Sequence, residues 1–208
     1  SARHGFSEAA VRAVGLCGLL HDAGMETLPR SLLTAARPLT PEEHLEVRRH
    51  PSAGAEYIRQ RYRFGGLLDC VLPAAVQQHH ERSDGSGYPE GLAGDRIHQF
   101  ARVLGIADSF EAMATPRAFR PALSPAKAMH SLVVQGWRSG GRGMYDADMM
   151  RTFVWAASMY PPGSAVKLSD GRTACVIGAG ADPRRPIVRV ESGEVIDLAQ
   201  RMDIEPSA

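Results

Sequence analysis

Of six residues of metal-ligand type, His21, Asp22, His50, His79 and His80 fall at or near the ends of segments with helical periodicity, and Asp108 falls inside one. Residues so far apart in the chain can act together only if several helices converge, and bundle interiors are where helical proteins build carboxylate and imidazole sites. A single buried His–Asp pair reads most simply as a satisfied polar contact. Six such residues, with Asp108 inside the apolar run that begins at Val103, read instead as a ligand cluster. Imidazole with carboxylate and no thiolate suits catalytic iron, manganese or zinc. Six ligands exceed what one metal with an open position needs. A carboxylate bridging two metals about 3.5–4 Å apart would use them, and Asp22 is the candidate bridge.

The pattern around these residues predicts the helices. Apolar positions from Ser7 to Leu20 form a stripe, with Ser7 as N-cap. Thr40-Pro41-Glu42-Glu43 is a capping signal for a helix expected to end near His50-Pro51, because the residue before a proline disfavours helix. Further helices are expected over 52–62, 67–80, 100–114, 124–134 and 146–159. Between them, Gly85, Gly87, Pro89, Gly91 and Gly94 make 81–94 an irregular loop. After Pro161-Pro162-Gly163 the character changes to about four short β-prone runs separated by turn signals such as Ser169-Asp170-Gly171 and Ser192-Gly193. That tail is expected to pack on the helices.

A chain of 208 residues with a formal net charge of +1 has no global bias toward polymeric nucleic acid or acidic membranes, so an anionic ligand must be caught locally. Cys17, Cys70 and Cys175 are widely spaced and odd in number, which indicates neither a disulfide framework nor a zinc ribbon. No apolar run approaches the ~20 residues needed to cross a bilayer. Nor does the opening stretch look like a signal peptide. A cytoplasmic protein without membrane insertion is the expectation.

His21-Asp22-Ala23-Gly24, then His50-Pro51, then His79-His80-Glu81-Arg82-Ser83-Asp84-Gly85-Ser86-Gly87-Tyr88-Pro89, then Ala107-Asp108, resembles the HD-GYP family in order and spacing from about Gly5 to Met159. These are bacterial phosphodiesterases of cyclic di-GMP within the HD phosphohydrolases. The resemblance implies a mainly α fold, with an HD-type helical bundle over 1–160, to which the β-prone runs add a small C-terminal β-strand appendage over 161–208. It also implies two divalent metal ions, iron or manganese with zinc as a further candidate, held by His21, Asp22, His50, His79, His80 and Asp108. Asp22 would be catalytic, and the products would be pGpG, GMP or both. The family's ligand-binding arginines resemble Arg117 and Arg120, whose guanidinium groups can grip phosphate or stack on guanine. Glu111 stands where the family commonly has aspartate, and Phe119 where it commonly has tyrosine. On its own, the arginine pair reads as solvated surface. Tyr88 reads equally as a nucleotide contact and as a hydrophobic plug pinning its loop.

Two departures stand out. Where family members carry a lysine after the His-Asp stretch, this chain has Met25, which offers neither charge nor donor. The family's additional upstream histidine, and the helix that bears it, would fall before Ser1. His4 is too near His21 to replace it and reads as a surface histidine. The competing reading is a degenerate domain that binds metal and cyclic di-GMP without turnover, as a sensor or protein-interaction module. A third keeps the chemistry on another phosphoester. A homodimer or a signalling-protein partner is compatible with each.

Overall fold

Ser7 accepts a hydrogen bond from the Ala10 amide and opens α1, Glu8–Leu20. The computed structural model describes residues 6–116, 120–137 and 143–207. After α1 come a 3-10 turn over Ala23–Thr27 and a one-turn helix α2, Arg30–Leu33, neither of which was expected from the pattern. The Thr40 capping box forms as expected and starts α3, Pro41–Val47. Next are α4, His50–Arg61; α5, Leu68–Gln78; α6, Gln99–Ala114; α7, Pro125–Trp137; and α8, Ala147–Ala157.

One boundary differs in a way that matters. His50 does not close α3 but occupies the first position of α4, with Pro51 beside it. Proline in a first helical turn costs no hydrogen bond, since that amide has no intrahelical partner anyway. The chain therefore breaks at Arg48-Arg49 and restarts at His50. His79 caps the end of α5, as expected, and 81–94 runs without regular helix until the short 3-10 turn Gly94–Arg96.

Two apolar clusters hold the helices. Cys17, Ile58, Leu72, Val76 and Leu104 knit α1, α4, α5 and α6. Ile106, Met129, Leu132 and Met150 join the other side of α6 to α7 and α8. Each fully buried aliphatic side chain contributes about 1.5–3 kcal/mol. Helix α6 is thus the central element, packed on both sides, and it carries Asp108.

The C-terminal region is larger than the small appendage expected. Strands β1 (Ala165–Leu168), β2 (Thr173–Asp182), β3 (Arg185–Val190), β4 (Val195–Asp197) and β5 (Pro206–Ser207) form one antiparallel sheet in the order β4-β3-β2-β1-β5. Alternation puts Val166, Leu168, Ala174, Val176, Val188, Val190 and Ile196 into a core of their own, joined by Leu198 and Ile204. Gly171 and Gly193, both at φ 89°, supply the left-handed turns that the sequence signalled. The sheet meets the helices where Ser158 Oγ and the Met159 amide donate to the Pro183 carbonyl at 2.8 and 2.9 Å.

Candidate metal centre

The six ligand-type residues converge. His21 follows the last turn of α1, Asp22 precedes the 3-10 turn, His50 opens α4, His79 and His80 follow α5, and Asp108 lies in α6. Close backbone approach makes this possible. A Cβ on Gly24 would lie 2.0 Å from the His50 carbonyl oxygen and 2.5 Å from the Gly54 nitrogen. Only glycine at 24 lets the turn that follows Asp22 rest against α4 and bring that carboxylate to His50.

Three imidazoles are aimed the same way. His21 Nδ1 donates to the Gly18 carbonyl at 2.7 Å, His50 Nδ1 to Val47 at 2.7 Å and His79 Nδ1 to Val76 at 2.6 Å. A carbonyl only accepts, so each Nδ1 carries a proton and each Nε2 faces the cluster. His50 and His79 are 2% and 0% exposed. Asp22 Oδ1 lies 3.3 Å from His50 Nε2 and 3.9 Å from His79 Nε2, whereas its Oδ2 lies 3.4 Å from His21 Nε2. Asp108 Oδ1 is 3.9 Å from His21 Nε2, and its Oδ2 is 3.8 Å from His80 Nδ1.

Burial pushes the His79 pKa down to about 4, so at neutral pH its Nε2 is an unprotonated donor atom. Burial, aided by His79, His50 and Arg82, takes His80 down to about 2. Burial works against the Asp22 carboxylate. Its contacts with the imidazoles of His50, His21 and His79 outweigh it and bring its pKa to about 2. Asp108 goes the other way, raised chiefly by burial.

This donor set fits metal ions. His50, His79 and His80 offer ligand atoms within 4.8 Å of one another, as do His21, Asp22 and His79. The two groups overlap at His79. Oδ1 of Asp22 and the Nε2 atoms of His50 and His79 crowd lone pairs into one small space, which a cation among them relieves.

Above the cluster opens a cavity of about 730 Å³, walled by Asp22, Met25, His50, His80, Tyr88 and Asp108 among others. Tyr88 stacks on His80 with ring centroids 4.7 Å apart, and the Arg48 guanidinium lies 4.5 Å over its ring. The π surface of Tyr88 is therefore engaged within the protein. Burial raises its hydroxyl to about 12, which leaves it a neutral group at the cavity wall. Glu81, 4% exposed, accepts from the Glu90 and Leu92 amides at 2.7 and 2.9 Å and so anchors the loop carrying Tyr88.

Of the remaining predicted residues, Glu111 and Arg120 are described. Glu111 is exposed and accepts from Thr115 Oγ1 at 2.7 Å. Arg120 donates to the carbonyl of Ala112, a residue that lines the cavity. Arg117, Phe119 and His4 lie outside the described residues. Sequence reasoning passed over Arg48 and Arg82, although Arg48 stands two residues before His50 and Arg82 lies within the His79–Pro89 run.

A helical bundle that gathers four histidines and two aspartates beneath and around one cavity defines the class of site: a candidate metal centre. The HD-domain family profile matches residues 1–147, and the chain belongs to that family, in its HD-GYP branch. It is 36% identical over 172 residues to Cyclic di-GMP phosphodiesterase PA4108 of Pseudomonas aeruginosa, covering 80% of this chain and 38% of that protein. It is 36% identical over 137 residues to Cyclic di-GMP phosphodiesterase response regulator RpfG of Xanthomonas campestris, covering 64% and 35%. It is 37% identical over 119 residues to 3'3'-cGAMP-specific phosphodiesterase 1 of Vibrio cholerae, covering 57% and 26%. The chain thus spans well under half the length of these curated relatives. Among solved structures, Bd1817, an HDG"Y"P protein from Bdellovibrio bacteriovorus, superposes with a TM-score of 0.54 at 20% identity, covering 72% of this chain and 45% of that one. That likeness speaks for the helical HD fold alone. No helix among the described residues is long and apolar enough to cross a membrane.

Proposed function

We propose that the chain is a metal-dependent phosphodiesterase that hydrolyses cyclic di-GMP to pGpG, GMP or both. The observation that carries this reading is the convergence of Asp22 with the Nε2 atoms of His21, His50 and His79, beneath a 730 Å³ cavity that Asp22, His50, His80 and Asp108 line. Two divalent ions, iron or manganese with zinc as a further candidate, would be held by His21, Asp22, His50, His79, His80 and Asp108. Asp22 would be the bridge between them, since its two oxygens face different imidazoles. Bound divalent ions supply Lewis-acid polarisation of a phosphoryl group and a nucleophile at neutral pH.

The protein's own part is to orient and to bind. The Nδ1–carbonyl bonds hold the imidazoles in the right tautomer, as metal-site histidines are held elsewhere. Tyr88, its ring engaged by His80 and Arg48, offers its neutral hydroxyl to the substrate. Arg117 and Arg120 contact phosphate or guanine, with Glu111 nearby on α6. The names of the Pseudomonas and Xanthomonas relatives support cyclic di-GMP as the substrate over other phosphoesters.

The test is to incubate the protein, loaded anaerobically with iron or with manganese, with cyclic di-GMP and with 3'3'-cGAMP, and to follow products by chromatography. Conversion of cyclic di-GMP to pGpG or GMP is expected. Tight binding of cyclic di-GMP with no product from a metal-loaded sample would overturn the enzymatic reading. Preferential cleavage of 3'3'-cGAMP would overturn the substrate assignment.

A further inference from the structure

The cavity over the His–Asp cluster continues past Tyr88. A second chamber of about 420 Å³ adjoins it, and His80, Arg82, Tyr88 and Ser109 line both. Arg82 thus stands at the junction, on the first residues of the loop that Glu81 anchors.

Its guanidinium is held from behind. Nη1 donates to the carbonyls of Glu81 at 2.9 Å and His79 at 3.2 Å, and Nη2 reaches Ser109 Oγ at 3.4 Å. The Tyr145 ring lies 5.3 Å from Cζ. Ser109 is itself fixed, donating to the Gly105 carbonyl and accepting from the Tyr145 hydroxyl, both at 2.7 Å. Gly105 leaves the space for this arrangement, since a Cβ there would lie 2.8 Å from the His79 oxygen and 3.2 Å from Arg82 Nη1.

These contacts occupy three of the five N–H donors of a guanidinium. All three acceptors are uncharged. Among the described residues, Arg82 is therefore restrained without a carboxylate in direct contact, although its charge reaches Asp108, and donors on Nε and Nη2 remain for a ligand in the cavity. The other arginine of the cavity wall differs. Arg37 is gripped through both its terminal nitrogens by Glu43, at 2.7 and 2.8 Å. Met25, on the same wall, brings no charge.

We infer that Arg82 is a substrate-binding residue, whose guanidinium grips nonbridging phosphate oxygens of the phosphodiester where the two chambers meet. It supplies the fixed positive charge that position 25 lacks. A planar fork pre-oriented by backbone carbonyls loses little freedom on binding, which favours paired N–H···O bonds to phosphate. This rests on the phosphodiesterase reading above.

Metal-loaded Arg82→Gln and Arg82→Lys proteins are compared with the unaltered chain for cyclic di-GMP binding by calorimetry. Metal content and melting temperature are measured on the same samples. Arg82→Gln is expected to keep its metal and to weaken the Kd about tenfold or more. Arg82→Lys, which keeps the charge and loses the fork, is expected to weaken it about threefold. Equal binding by Arg82→Gln and the unaltered chain overturns the Arg82 assignment and leaves the phosphodiesterase reading standing. Absence of binding by the unaltered chain overturns that reading, and the Arg82 assignment with it. Should Arg82→Gln not fold, unchanged affinity in a folded, metal-replete Arg82→Lys protein overturns the assignment on its own.

Discussion

His50 Nε2 lies 3.3 Å from His79 Nε2, and both rings have their Nδ1 protons committed to backbone carbonyls of the preceding turn. Two nitrogens that each present a lone pair do not approach so closely without positive charge between them. A metal ion bound at the cluster would supply that charge.

His79 belongs to both potential donor groups, whereas His21 and His80 belong to one each. His79→Ala should therefore remove nearly all bound metal, and His21→Ala only part of it. Elemental analysis of the purified variants reads this directly. Similar losses from the two substitutions would contradict a two-centre arrangement. Asp22→Ala should resemble His79→Ala, because its two oxygens face separate imidazoles.

Gly24→Ala places a methyl group within 2.0 Å of the His50 carbonyl oxygen, where backbone and not a flexible side chain must move. A cost of about 3 kcal/mol is expected from overpacking. Urea denaturation would read it as a lower midpoint, and metal affinity should fall with it because Asp22 is displaced from His50.

Glu81→Gln replaces one of the two anionic acceptors for the Glu90 and Leu92 amides with an amide nitrogen that cannot accept. Hydrogen bonds to a charged group contribute about 1.5–3 kcal/mol, so a destabilisation of about 2 kcal/mol is expected. Hydrogen exchange over 82–92 should quicken more than exchange in α5. Uniform acceleration along the whole chain would argue against a local anchoring role.

Met25 lines the cavity beside Asp22 without contributing charge. Met25→Lys should bring a second cation to bound phosphate and raise affinity for cyclic di-GMP about five- to tenfold, or about 1 kcal/mol. Steady-state kinetics would show it as a lower KM. A higher KM would mean that the ammonium pairs with Asp22 instead.

Cys17 is fully buried in the helical core, and burial drives its thiol up to about 11, only partly countered by a backbone hydrogen bond. Thiolate is the reactive form, so Cys17 should stay inert at pH 8. Titration with a chromogenic disulfide should find the exposed Cys70 and Cys175 at once, and Cys17 only after denaturant is added. Reaction of all three thiols in the native protein would refute the packing of α1 against α4 and α5.

Much of the helical layout was legible because its signals are local. The Thr40 capping box and the Ser7 cap act within a few residues, and the structure reproduces both. His50 was harder. The rule that disfavours helix before proline suggested an ending, yet proline equally suits a first turn, and only packing of α4 against Gly24 selects the second outcome. The β region was underestimated for a similar reason. Strand β5 has two residues and no periodicity of its own, and it exists because the edge of β1 offers unpaired backbone groups.

By itself, the sequence determined which side chains could serve as ligands and that helices would carry them, because residue type, periodicity and capping are encoded within a few positions. Tertiary structure decided where those ligands point and what surrounds them. The common aim of the three Nε2 atoms depends on carbonyls at the ends of separate helices, the two-sided role of Asp22 on a glycine contact with α4, and the poise of Arg82 on Ser109 and Tyr145. Those relationships join residues tens of positions apart, and no local signal fixes an orientation that only packing can hold.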